Sequence, residues 1–227
     1  MNFLTEILDF FLPRFCFSCS KKLSSNEKVV CPECLSKIKL VTTEHLQNEF
    51  ERKFKDKGII SGFTSLYLFE KDKELQHIIH SLKYNRRFLV GKFLGKELGN
   101  NLKPVILNWN IDIIVPIPLH HLKKAERGYN QSFYIAKGLS KITKLPIKNR
   151  IIKRKRFTQS QTTMNLKERQ ENISGAFTIK SKNKLSGKNV LLIDDVITTG
   201  ATISECGKIL LEYGANKVYA ASVAIAN

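Results

Sequence analysis

Negative charge is scarce in this sequence. Only 20 Asp and Glu stand against 38 Lys and Arg among 227 residues, leaving a formal net charge of +18. Such a balance favours polyanionic partners: nucleic acid, phosphorylated small molecules or an acidic membrane surface. An abundance of lysine gives the same balance without any such partner, so charge by itself locates no site. Cysteine is missing from Leu35 through Glu205, and the five cysteines are not spread as a disulfide framework. Long apolar runs are absent too. The N-terminal MNFLTEILDFFLPRFC is interrupted by Glu6 and Asp9, has no Lys or Arg before it and no small-residue cleavage site after it. It is also too short to span a bilayer. Internal repeats and low-complexity tracts are not found. A cytoplasmic protein without a transmembrane segment is expected.

What is present divides into four regions. In residues 1–12, Phe3, Leu4, Ile7, Leu8, Phe11 and Leu12 recur at helical spacing and predict an amphipathic helix ending near Pro13. Its apolar face suits packing on the rest of the protein, and peripheral membrane contact is the lesser reading. Residues 13–41 carry four cysteines, and residues 42–57 read as a polar connector. Residues 58–227 alternate apolar strands with helices of ten to fifteen residues, the pattern of a mostly parallel sheet flanked by helices. A helix is expected over Phe88 to Asn101, ended by Pro104.

Cys16 and Cys19 form one CxxC, Cys31 and Cys34 another, with eleven residues between the pairs. Each pair can fold as a knuckle presenting two thiolates, and two knuckles complete a tetrahedral site. In a short segment with little core of its own, this predicts a closed structural zinc site in a reducing compartment, not a catalytic one. A redox pair would need a strand-to-helix junction that neither CxxC occupies. Cys206 lies on the apolar face of a later helix and reads as core.

The stretch VLLIDDVITTGAT, Val190 to Thr202, drives a buried strand into Asp194 and Asp195 and then into a Thr/Gly turn that opens a helix. Backbone N–H groups of such a turn can wrap a phosphate dianion, backed by the helix N-terminus. Thr198, Thr199 and Thr202 add hydroxyl donors, and Gly200 and Ala201 leave room for close approach. The two carboxylates can accept hydrogen bonds from vicinal sugar hydroxyls or hold a magnesium ion beside them. Phosphate on one side and diol on the other describe a ribose 5-phosphate.

These thirteen residues resemble the phosphoribosyl-diphosphate signature of type I phosphoribosyltransferases. Together with the cysteine module, HSLKYNRRF, IIVPIPLHHLKKAERGYNQS and TQSQTTMNLKERQENISGAF, they resemble the ComF family over essentially the whole length. Many members of that family carry a further cysteine pair, which is missing here.

The resemblance implies a type I phosphoribosyltransferase fold behind a zinc ribbon. It implies 5-phosphoribosyl 1-diphosphate or a related nucleotide as ligand, Mg²⁺ with the diphosphate, and an association with DNA uptake in natural competence. Asp194 and Asp195 take the ribose-binding positions, and Thr198 to Thr202 the 5-phosphate loop. Pro116, Ile117 and Pro118 fall in the diphosphate loop, Arg127 to Gln131 in the RGYNQ block, and Gln161 and Arg169 in a mobile loop over Thr158 to Asn172. By charge, Lys83, Arg86, Arg87, Arg127 and Arg169 are candidates for holding a diphosphate, with Arg86 and Arg87 by default surface charges.

Two functions follow from the resemblance. One is an enzyme in which a nitrogen nucleophile displaces diphosphate. The other is a non-catalytic module that binds single-stranded DNA or DNA-uptake proteins. For the second, the basic run Lys148 to Arg156 is a candidate strip, although a solvated surface is its simpler reading.

Overall fold

The computed structural model describes residues 13–83, 87–156, 173, 175–179 and 185–226. The expected helix at 1–12, Arg86, and the expected loop residues Gln161, Arg169 and Asn172 lie outside them.

After the cysteine module with its short helix α1 (Pro32–Ser36) come α2 (Thr43–Phe54) and β1 (Gly62–Leu68). Helices α3 (Glu74–Lys83) and α4 (Phe88–Asn108) lead to β2 (Ile113–Pro116), which is followed by α5 (His121–Arg127) and α6 (Gln131–Thr143). A small antiparallel ribbon pairs β3 (Ile152–Arg154) with β4 (Phe177–Ile179). Then come β5 (Asn189–Ile197), α7 (Ala201–Glu212) and β6 (Lys217–Ile225).

The main sheet is wholly parallel in the order β1-β6-β5-β2. Its two central strands are apolar on both faces, as a doubly covered parallel sheet requires: Val190 to Ile193 and Val218 to Ala221 are buried throughout. Helices α4 and α6 cover one face with Leu94, Leu98, Ile135 and Leu139. Helix α7 covers the other with Ile203, Cys206 and Leu210, and Cys206 is core as expected.

Two expectations need correction. Residues read as a connector form α2, because Leu46, Phe50 and Phe54 recur every four residues and pack on the sheet. The Thr42 hydroxyl caps the helix by accepting from the N–H of His45 at 3.2 Å. Helix α4 runs past Pro104 to Asn108. Proline inside a helix costs about 3 kcal/mol, but Pro104 and Asn100 are both exposed, so water can take the freed Asn100 carbonyl. Ile106, fully buried two residues later, holds the helix on.

Helices α4 and α6 approach without a layer of side chains between them. A Cβ placed on Gly95 would lie 1.9 Å from the Ile135 carbonyl oxygen, and one on Gly138 would lie 2.2 Å from that of Lys92. This contact fixes where α6 begins, and α6 begins beside the site.

Candidate functional site

A cleft of about 410 Å³ opens at the C-terminal ends of β2 and β5, where parallel α/β sheets place their ligands. Its floor is Asp194 and Asp195. One wall is the turn Thr198 to Thr202, and the other is Ile117, Pro118 and Leu119 after β2.

The turn is shaped by Gly200, whose φ of +72° is costly for a residue with a Cβ. A Cβ there would also meet the Phe54 ring at 2.7 Å. Thr199 Oγ1 accepts from the Ala201 N–H at 3.3 Å, closing the turn onto the start of α7. The start of α7 and Thr198, Thr199 and Thr202 therefore line the cleft together, an arrangement that can receive an anion.

The carboxylates differ. Alternation along β5 sends neighbouring side chains to opposite faces. Asp195 Oδ2 lies 3.8 Å from Lys83 Nζ at the end of α3. Asp194 Oδ1 accepts from Ser132 Oγ at 2.9 Å and from the Asp195 N–H at 2.9 Å. Burial, followed by repulsion from Asp195, pushes Asp194 from the usual carboxylate range up to about 7; these two donors and Lys83 oppose the rise.

Folded Asp194 holds its proton more tightly than the unfolded chain does. The stability that this proton confers is present at low pH and is lost as pH rises through the window from about 3.8 to about 7. Accepting from ligand hydroxyls is strongest once the proton has gone. Affinity for a ribose phosphate should therefore rise as pH passes through about 7, with Asp194→Asn removing that component; calorimetry across the range checks it.

Four cations surround this floor: Lys83, Lys123, Arg127 and Arg154 all line the cleft. Burial first, then the charges of Arg154 and Arg127, and Lys83 further down, lowers Lys123 below the ordinary lysine range. They repel one another, and a polyanion between them would relieve that repulsion.

Lys83 and Arg127, candidates by charge, both line the cleft. Lys123 was missed, although its i,i+4 spacing to Arg127 on α5 was legible. Arg154 is a correction: in the run Lys148 to Arg156 it was read as surface, yet its guanidinium turns into the cleft with its carbon 5.3 Å from the Phe177 ring centre. Arg87 stays out of the cleft and sits 4.3 Å above the ring of Phe17 in the cysteine module.

Pro116 ends β2 without reaching the cleft; Ile117 and Pro118 do. Within the RGYNQ block most residues hold the frame. Gly128 takes φ +78° to end α5. The buried Tyr129 hydroxyl donates to the Leu82 carbonyl, beside Lys83. Asn130 Nδ2 donates to the Ile117 carbonyl at 2.9 Å, tying the loop after β2 to α6. His120, buried, accepts from the Leu122 N–H through Nδ1 at 3.4 Å and starts α5.

The four module cysteines converge. Their sulfurs all lie within 4.8 Å of one another, a cluster able to hold a metal ion. Cys16 Sγ receives the N–H groups of Cys31 at 3.4 Å and Ser18 at 3.5 Å. Burial would raise its thiol, but such backbone donors outweigh it and bring Cys16 down to about 7. Cys34, more simply buried, is pushed up to about 12. No helix among the described residues is long and apolar enough to cross a membrane.

Residues 129–227 match the phosphoribosyl transferase domain. With the wholly parallel sheet, the Asp-Asp strand end and the Thr/Gly turn, this match marks a type I phosphoribosyltransferase-like fold. The chain is 29% identical over 208 residues to competence protein F of Haemophilus influenzae, covering 89% of this chain and 86% of that protein. It is 24% identical over 201 residues to competence protein ComFC of Bacillus subtilis, covering 88% and 79% respectively. Over 147 residues it is 29% identical to the DNA utilization protein YhgH of Escherichia coli, spanning 63% of this chain and 64% of that one. These relatives and the domain match together support a ComF-family protein. Among solved structures, glutamine phosphoribosylpyrophosphate amidotransferase from B. subtilis aligns with 89% of this chain and 33% of its own, at 16% identity and a TM-score of 0.41. An adenine phosphoribosyltransferase aligns with 61% of this chain and 69% of its own, at 19% identity and a TM-score of 0.39.

Proposed function

We propose that the cleft binds 5-phosphoribosyl 1-diphosphate, or a related nucleotide, together with Mg²⁺, and that the protein serves DNA uptake in natural competence from the cytoplasm. The observation that carries this reading is the meeting of three parts in one cleft. These are the Asp194–Asp195 floor, the Thr198–Thr202 turn at a helix N-terminus, and the ring of Lys83, Lys123, Arg127 and Arg154. A 5-phosphate suits the turn, where N–H and hydroxyl donors gather. Sugar hydroxyls suit the carboxylates, which accept and do not donate when ionised. A diphosphate suits the cations, and Mg²⁺ carried with it would neutralise charge that four side chains leave over. The competence context rests on the relatives' names, competence protein F and ComFC.

For the module, zinc is the metal that fits the donors. Four thiolates at about 2.3 Å around a tetrahedral ion lie about 3.8 Å apart, and Cys19 and Cys31 sulfurs already lie 3.8 Å apart. With all four positions taken by protein, the ion would hold the fold and leave no open position for chemistry. In the alternative, a non-catalytic module that binds single-stranded DNA or DNA-uptake proteins, the candidate DNA strip along Lys148 to Arg156 is weakened by the turn of Arg154 into the cleft.

The test is calorimetric titration of the metal-loaded protein with 5-phosphoribosyl 1-diphosphate and Mg²⁺, beside an Asp194→Asn/Asp195→Asn variant. Charged hydrogen bonds contribute about 1.5–3 kcal/mol each, so the double variant should lose at least about a hundredfold in affinity. Equal binding by both proteins, or by neither, would remove this reading.

A further inference from the structure

We propose that Ser132 is a positioning residue of this cleft, whose hydroxyl fixes the Asp194 carboxylate so that one oxygen serves the protein and the other is reserved for a sugar hydroxyl. The inference rests on the sugar-phosphate reading above and adds a residue to it that neither the signature in β5 nor the loop after β2 contains.

Ser132 is the second residue of α6 and is buried, with 4% of its surface exposed. A serine in the first turn of a helix commonly has a capping role, but that role is already filled. The Asn130 side chain caps α6 by accepting from the Ser132 N–H at 3.1 Å. The Ser132 hydroxyl is thereby left to act outside its own helix, and it donates across to β5, to Asp194 Oδ1 at 2.9 Å.

The same Oδ1 accepts the Asp195 N–H at 2.9 Å. A carboxylate oxygen has about two lone-pair directions, so two donors saturate Oδ1. Among the described residues no hydrogen-bond donor reaches Oδ2. With Oδ1 held by two donors and Asp194 lining the cleft, Oδ2 is the oxygen available to a ligand, a preorganised acceptor.

The other charged and titratable groups around Asp194 are Asp195, Lys83, Arg154 and Cys206. Asp195, Lys83 and Arg154 interact with Asp194 by charge and the buried Cys206 thiol is held neutral, whereas Ser132 directs a hydrogen at one chosen oxygen. The hydroxyl is held in place from behind: Ile135, Ala136 and Leu139 of α6 are fully buried, and Gly138 lies against the backbone of α4.

The experiment uses the full chain with its metal and two free sugar phosphates, ribose 5-phosphate and 2-deoxyribose 5-phosphate. Each is titrated by calorimetry into the parent, Ser132→Ala and Ser132→Thr proteins, with thermal melts confirming that all three fold. The parent should prefer the ribose compound. Ser132→Ala should weaken ribose 5-phosphate about fivefold and leave the deoxy compound within about twofold, collapsing the preference. Ser132→Thr, which keeps the donor, should retain the parent's preference.

If Ser132→Ala changes neither affinity, or lowers both equally, the residue is structural and the proposal is overturned while the cleft reading stands. If the parent itself binds neither sugar phosphate, the cleft reading and the positioning role fall together.

Discussion

Replacing Gly95 with alanine is expected to destabilise the protein by about 3 kcal/mol or more, toward the upper end of what a single added methyl does in a packed core. The reason is that the clash is with backbone. A Cβ at this position would lie 1.9 Å from the Ile135 carbonyl oxygen, 2.8 Å from its carbon and 3.0 Å from the Gly138 Cα. Side chains can rotate away from an intruding methyl, but a helix axis has to move. Moving it would draw Leu94, Leu98, Ile135 and Leu139 off the sheet together, since all four belong to one buried cluster. For a domain of this size the loss corresponds to a melting temperature lower by roughly 10 °C. Gly138→Ala should behave alike, because its Cβ would meet the Lys92 carbonyl from the other side. Alanine is the better helix former at both sites, so a neutral or stabilising result in calorimetric unfolding would show that the helices do not approach so closely.

Removing the metal proposed for the cysteine module should have an effect at least as large. A structural zinc bound by four thiolates contributes on the order of 10 kcal/mol to the fold that presents them. The module has little core of its own: Leu23, Val29, Val30 and Ile38 are buried in one continuous cluster with Leu75, Ile78, Ile79 and Leu82 of α3. Losing the metal would thus expose one side of α3, the helix that ends in Lys83 beside Asp195. The expected result of strong chelation is release of one metal ion per chain, a melting temperature lower by more than about 10 °C, and weaker sugar-phosphate binding. Metal analysis, thermal melts and titration before and after chelation follow the three. Retained stability in a protein verified to be metal-free would show that the thiols hold no structural ion.

The two halves of the cleft differ in how far the sequence disclosed them. Val190 to Thr202 could be read because its chemistry is contiguous: strand, carboxylates, turn and helix start follow one another in the chain. The α/β alternation was legible for a similar reason, since each element carries its own period. Arg154 was not legible, because a cation in a basic run turns inward only when a second strand and the Phe177 ring lie beside it. Ser132 was hidden likewise: a hydrogen bond spanning 62 positions leaves no local mark. Helix α2 was overlooked although its spacing was present, since Leu46, Phe50 and Phe54 are set among seven charged or amide side chains. Pro104 misled in the opposite direction. A local stop signal was overridden by Ile106, whose burial depends on tertiary structure. Gly91, Gly95 and Gly99 stand four apart in plain sight, yet their role is set by α6, more than thirty residues further on.

Gly200 leans on Phe54, and β1 forms the outer edge of the sheet beside β6. Both supports come from residues that precede the stretch matching the phosphoribosyl transferase domain, which starts at Tyr129. The stretch that is recognisable and the unit that can fold are therefore different lengths of chain. A graft of residues 129–227 onto another protein would carry the ligand signature but leave β6 as an open edge and the turn without the ring behind it. Exchange between relatives should succeed only when α2 and β1 travel along, together with the cysteine module that packs on α3.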